Sequence, residues 1–201
     1  MCGGLSPCSE TATSWRARGL LTARGHVLVL VDVPSDQRDL GGDFRESPEH
    51  AADLAAVIAH ARKAFAKPVW LLGHSRGTHS AVTAATRLSG DAAPDGIVLA
   101  AAILESSRFG SATAKPLQNS GVETLRIPVL VLHHTQDACQ VSPPAKLPEL
   151  QAKLPAAKSR IIMYEGWTSR GAPCEVQAFH SFNGIEQRVV DDLSAYVAQW
   201  K

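Results

Sequence analysis

The sequence predicts a single three-layer α/β domain, residues 1–201, with a mostly parallel central sheet covered by helices on both faces. Two patterns carry that expectation. Short apolar runs rich in Val, Ile and Leu recur along the chain without the alternation of half-exposed strands, as expected of strands buried on both faces. Between them lie amphipathic segments with helical spacing, and alternation of strands and helices implies right-handed βαβ crossovers. With 45% hydrophobic and 19% charged residues in 201, the chain can bury one sizeable core.

In chain order, the first apolar run is HVLVLVDV, His26 to Val33, which reads as a buried strand and is too short to span a bilayer. Next comes SPEHAADLAAVIAHARKAFA. Here Ser47 is a helix N-cap and Pro48 the first helical residue, and Leu54, Val57, Ile58, Ala61 and Phe65 form an apolar stripe. A second strand is expected at Pro68 to Gly73, followed by a helix over RGTHSAVTAATRLSG that stops at Gly90. Further strands are expected at Ile97 to Leu104 and Ile127 to His133, and a weaker one in KSRIIMYEG. A proline-rich helix is expected from Pro144 to Leu154. The terminal segment GIEQRVVDDLSAYVAQW puts Ile185, Val189, Val190, Leu193, Val197 and Trp200 on one stripe, suited to docking on the sheet. Two long connections stand out, Glu105 to Arg126 and Glu165 to Phe179.

A net charge of +1 without blocks of like sign argues against nucleic acid or an anionic membrane as partner. No secretory signal pattern opens the chain. The four cysteines, Cys2, Cys8, Cys139 and Cys174, leave the compartment open, and the composition does not specify an oligomeric state.

The chemistry centres on GHSRG, residues 73–77. A G-x-S-x-G pattern is weak alone, but here it follows the apolar run VWLL directly and opens a helix, the strand-turn-helix setting that lifts a serine above a sheet edge. Gly73 and Gly77 are expected at positions where a Cβ would clash within the sharp turn. A serine hydroxyl becomes a useful nucleophile only with a histidine in hydrogen-bond reach and a carboxylate holding that histidine. Asp137, shortly after VLVLHH, and His180, before the last helix, follow Ser75 in the order Ser, Asp, His. His26, His50, His60 and His79 are expected to be bystanders. His133 and His134 lie close to Asp137, but with a cysteine they match no familiar zinc spacing, so no metal or cofactor is expected.

The segments GHSRG, VLVLHHTQD and FHSFNGIE together resemble the α/β-hydrolase superfamily, over most of the chain. The resemblance implies Ser75 as nucleophile, His180 as general base and then acid, and Asp137 as the group fixing the histidine tautomer. It implies an oxyanion hole of two backbone N–H groups, one from Arg76 and one from the glycine loop CGGLS, where Gly4 is the candidate. The strand that normally precedes such a loop is not in the sequence, so the N-terminal strands are expected to be reduced or missing. If these roles hold, the loops bearing Cys139 and Cys174 meet above the sheet, and a disulfide between them is one of three pairings open to four cysteines. Such a bridge, with a trimmed signal, would place the protein in a periplasm or outside the cell; without it a cytoplasmic place is expected. Only about 22 residues separate the third apolar strand from the fourth, leaving no room for a cap domain. An open site of this kind suits small acyl esters or thioesters, with Phe109, Phe179 and Phe182 as candidates for an apolar acyl wall. Two other readings stay open: an amide or peptide hydrolase with the same three residues, and a non-catalytic binding or scaffold protein of hydrolase-like fold.

Overall fold

In the computed structural model, residues 16–38, 40–109 and 112–200 are described. Among them, four parallel strands form one sheet in the order β1-β2-β5-β6: β1 (Trp70–His74), β2 (Gly96–Ala100), β5 (Val129–His134) and β6 (Ser159–Tyr164). A separate antiparallel hairpin joins β3 (Ser107–Phe109) to β4 (Ala112–Ala114).

Alternate residues of the central strands feed two cores. Ile97, Leu99, Val129 and Val131 meet Ala81 and Val82 of helix α4 (Gly77–Arg87) and Leu147 and Leu150 of α5 (Leu147–Gln151). Val98, Ala100, Leu130 and Leu132 meet Leu21 of α1 (Arg18–Ala23) and Val189, Val190 and Leu193 of α6 (Glu186–Val197) on the other face. Every side chain of β2 and β5 is buried, which is why these runs lack alternation: both faces are covered. The three layers expected from the sequence are therefore present, with no helical cap among the described residues between β2 and β5.

The long amphipathic segment forms α3 (Pro48–Phe65), and Ser47 Oγ accepts the His50 amide N–H at 3.1 Å, as its N-cap position implies. A short α2 (Gly42–Arg45) precedes it. The proline-rich segment splits into a 3-10 turn (Pro144–Lys146) and α5.

Three expectations are corrected. The run His26 to Val33 joins no sheet: residues 26–34 carry neither ladder nor turn, and Val27, Val29, Leu30 and Val31 are between 42% and 49% exposed. Apolar composition alone cannot supply the neighbouring strand that a ladder requires. Helix α4 ends at Arg87 because Leu88 is already extended; Gly90, at φ +58°, instead begins a 3-10 turn. Gly77 is not sterically required, as a Cβ there would meet nothing within 4 Å.

Candidate active site

Ser75 sits where β1 gives way to α4, with φ +52°, a left-handed conformation that costs a non-glycine residue about 1–3 kcal/mol and persists only when its surroundings fix it. The surroundings here are the turn itself and the end of the adjoining strand. The Ser75 N–H donates to Ala100 O at the end of β2 (2.9 Å), while the Thr78 N–H (3.0 Å) and hydroxyl (2.6 Å) both donate to Ser75 O. The return of the chain beneath the serine explains Gly73: a Cβ there would lie 2.4 Å from Gly77 O. One glycine makes room and the other supplies the backbone that needs the room. Arg76 follows as the exposed N-cap of α4, in right-handed backbone geometry.

Asp137 and His180 come from loops beyond the strand ends. Asp137 lies in the turn after β5, and His180 in a 3-10 turn (Phe179–Ser181) before α6. The structure brings all three side chains together. His180 Nε2 lies 2.9 Å from Ser75 Oγ, and His180 Nδ1 lies 2.8 Å from Asp137 Oδ2. Because a carboxylate only accepts, Nδ1–H donates to Asp137 and Nε2 faces the serine as an acceptor for its hydroxyl proton. Asp137 Oδ1 takes the Cys139 N–H at 2.9 Å, so its two oxygens are fixed in opposite directions. His180 is 1% exposed and Asp137 5%, whereas Ser75 is half-buried and reachable.

The two loops are braced to each other. Cys139 and Cys174 form a disulfide, with Cα atoms 4.7 Å apart, compatible with an oxidising, extracellular setting. His134 adds a second tie: its Nε2–H donates to Gly166 O (3.1 Å), its Nδ1 accepts the Gln136 N–H (3.1 Å), and its ring stacks on Phe179 at 4.3 Å. His133 is wholly buried, donates from Nε2 to Ser142 O (3.0 Å), and burial holds its pKa below the usual histidine range, so it stays neutral near Asp137.

Sequence reasoning passed over two residues. His74, inside the GHSRG motif itself, donates from Nε2 to the backbone O of His180 at 3.0 Å, tying β1 to the histidine turn. Burial first, then the nearby His180, pushes the His74 pKa down to about 4, so the ring is neutral. Arg16 donates to Ser181 O and Asn183 Oδ1 (both 3.1 Å) and pairs with Glu186 at 3.0 Å. His74 had a signal in its neighbourhood with Ser75; Arg16, 164 positions from His180, had none.

The expected phenylalanine wall is mostly packing. Phe182 is 1% exposed within the α6 core, Phe179 is committed to His134, and the side chain of Phe109 lies outside the described residues. Gly4, Cys2 and Cys8 also lie outside them. Among the described residues, no cluster of three His, Cys, Asp or Glu side chains could hold a metal, and no helix is long and apolar enough to cross a membrane.

No protein-family model and no curated protein matches the sequence. Solved structures do match the fold. The esterase domain of a Rhodothermus marinus protein superposes with a TM-score of 0.60 at 16% identity, covering 96% of this chain and 81% of that one. A monoacylglycerol lipase from Paleococcus ferrophilus gives 0.64 at 13%, covering 94% and 89%. A lidless α/β serine hydrolase from Xanthomonas campestris gives 0.52 at 18%, covering 84% of this chain and 64% of that one. At these identities the likeness is one of fold, the α/β-hydrolase fold.

Proposed function

We propose that the protein is a serine hydrolase that cleaves small carboxylic esters through an acyl-enzyme on Ser75. The observation that carries this reading is the pair of aligned hydrogen bonds, Ser75 Oγ to His180 Nε2 and His180 Nδ1 to Asp137 Oδ2, centred on a serine in strained backbone geometry. The esterase and lipase names of the structural neighbours are in keeping with it.

In this mechanism His180 takes the Ser75 hydroxyl proton as Oγ attacks the acyl carbonyl. Asp137 keeps Nδ1 protonated and stabilises the imidazolium that forms. His180 then delivers the proton to the departing alkoxide, the ester C–O bond breaks, and the acyl group remains on Ser75. Water, deprotonated by the same nitrogen, releases the acid and restores the serine. The Arg76 N–H, one residue past the nucleophile, is one oxyanion donor, worth about 3–4 kcal/mol in the transition state. The reaction as written needs no metal or cofactor. With no helical cap among the described residues between β2 and β5, an open site suits small acyl esters or thioesters, or exposed ester groups on larger molecules.

A fluorophosphonate probe tests the proposal. Covalent labelling of the wild-type protein that disappears in Ser75→Ala is the expected result. A folded wild-type protein that takes no label would overturn it and favour a binding protein built on the same fold.

A further inference from the structure

The turn that carries His180 is held from several sides, and the ties differ in what they fix it to. The disulfide from Cys174 to Cys139, the stack of Phe179 on His134 at the end of β5, and the Nδ1 bond to Asp137 all hold the turn to the loop of the acid. Arg16, just before α1, donates to Ser181 O and Asn183 Oδ1 and holds it to the helical face. His74 is different. It closes β1 directly before Ser75, and its Nε2–H donates to His180 O at 3.0 Å. One strand end thus leads into the nucleophile and grips the backbone of the base, across 106 positions of sequence.

The path from His74 to the reacting atoms is short. It runs through His180 O and along the His180 side chain to Nε2, which lies 2.9 Å from Ser75 Oγ. Ser75 is fixed relative to His74, because its φ of +52° and its N–H bond to Ala100 O (2.9 Å) set the backbone that joins them. Removing the His74 donor therefore frees the turn on the nucleophile's side and leaves its ties to the acid loop in place. The Ser75–His180 bond then lengthens while the His180–Asp137 bond stays. A histidine suits the position because it donates without charge. Its ring centroid lies 5.2 Å from that of His180, where a cation would oppose the imidazolium formed as His180 takes a proton; burial keeps His74 neutral. The ring also packs edge-on against Phe182, with centroids 6.4 Å apart, so the donor and the packing need separate variants.

We propose that His74 is a positioning residue that sets the Ser75–His180 hydrogen bond independently of the His180–Asp137 bond. Its effect on rate rests on Ser75 and His180 acting as nucleophile and base; its effect on geometry does not.

Two variants separate donor from ring: His74→Phe keeps an aromatic ring and loses the donor, whereas His74→Gln sets an uncharged amide N–H where the Nε2–H stood. Crystal structures and turnover of a nitrophenyl ester of a short acid are read together. In His74→Phe the Ser75 Oγ to His180 Nε2 separation opens beyond about 3.5 Å with the Asp137 bond kept. There kcat falls about 10–100-fold with KM within about twofold. His74→Gln restores the short separation and brings kcat to within about fivefold of wild type. A His74→Phe structure in which both hydrogen bonds persist, or both break together, overturns the proposal. So does a His74→Gln protein as impaired as His74→Phe, since packing alone would then account for the loss. Should His74→Phe not fold, His74→Gln decides alone: wild-type geometry and turnover support the donor role, and a lengthened serine bond despite the restored N–H overturns it. A wild-type protein that hydrolyses nothing, while His74→Phe still opens the serine bond alone, supports the positioning and contradicts only the reading of Ser75 as nucleophile.

Discussion

Ser75 and the Asp137–His180 pair reach the same point by different means. The serine is placed chiefly by the backbone of residues 73–78, where Gly73 gives way to the carbonyl of Gly77 and Thr78 clamps the Ser75 carbonyl, with Ala100 O of the adjoining strand taking its amide. The acid and base stand 43 residues apart in sequence and are held by distant ties: a disulfide, the His134 stack on Phe179, the His74 bond to His180 O, and Arg16 on the turn beyond. A local device is rigid because it has little chain to move, whereas a distributed one is as good as its weakest tie. Substitutions that crowd the elbow or remove its serine should therefore abolish the site, while substitutions among the ties should loosen it by degrees.

The largest effect belongs to the nucleophile itself. Ser75→Ala should lower ester turnover by about 10⁴-fold or more with the thermal midpoint unchanged or raised, since it removes the group that bonds the substrate and not the frame. Activity retained within tenfold would mean that the elbow does not hold the reacting group.

Removing the covalent tie comes next. Cys139→Ala with Cys174→Ala opens a loop of 35 residues and should cost about 3–4 kcal/mol of stability on the chain-entropy account, or a midpoint lower by roughly 6–16 °C for a chain of this size. Steady-state kinetics should show a reduced kcat with KM nearly unchanged, because the base drifts while the binding surface stays. The two glycines of GHSRG offer a paired contrast of similar size. Gly73→Ala drives a Cβ into backbone and should cost about 3 kcal/mol or more together with activity, whereas Gly77→Ala meets open space and should be tolerated in both. Equal sensitivity at the two positions would contradict the packing described for the elbow.

Acidification probes the buried histidines that hold the frame. His79 (1% exposed) and His74 have pKa values pushed down to about 4, in both cases chiefly by burial. Their unfolded value is about 6.5, so between pH 6.5 and 4 the unfolded chain binds protons that the native chain refuses. Stability is then full above pH 6.5 and declines as pH falls toward 4, by about 2 kcal/mol per histidine at pH 5. The melting midpoint should drop between pH 7 and pH 5, and His79→Leu should remove part of that drop, with His74, His50 and His133 supplying the rest; an unaltered pH profile in the variant would show that His79 ionises freely in the native state. The smallest effect is reserved for the aromatic tie. Phe179→Ala exposes the His134 ring and should cost about 1 kcal/mol with a kcat lowered a few-fold. A loss as large as that of the disulfide would make the stack the principal brace.

This contrast also explains what the sequence made legible. The elbow and the helices with their own caps and stripes, such as Ser47 with α3, are short-range patterns, and the residues that fix them are neighbours in the chain. The two central strands, buried on both faces, declared themselves by composition. Chain order alone pointed to Asp137 and His180, since neither has a local signature. Arg16 and the roles of His74 and His134 were not legible because each acts by a contact with a loop up to 167 positions away. The run 26–33 was misread for the opposite reason. Its local pattern is that of a strand, but a strand is completed by its neighbour, and among the described residues no neighbour is there.

Trapping the acyl-enzyme measures the central claim most directly. After rapid acid quench of the protein turning over a nitrophenyl ester of a short acid, peptide mass analysis should find one acyl group on the peptide that carries Ser75, and none in Ser75→Ala. Ester turnover with the acyl group on another residue, or with no acylated peptide and undiminished activity in Ser75→Ala, would contradict the account.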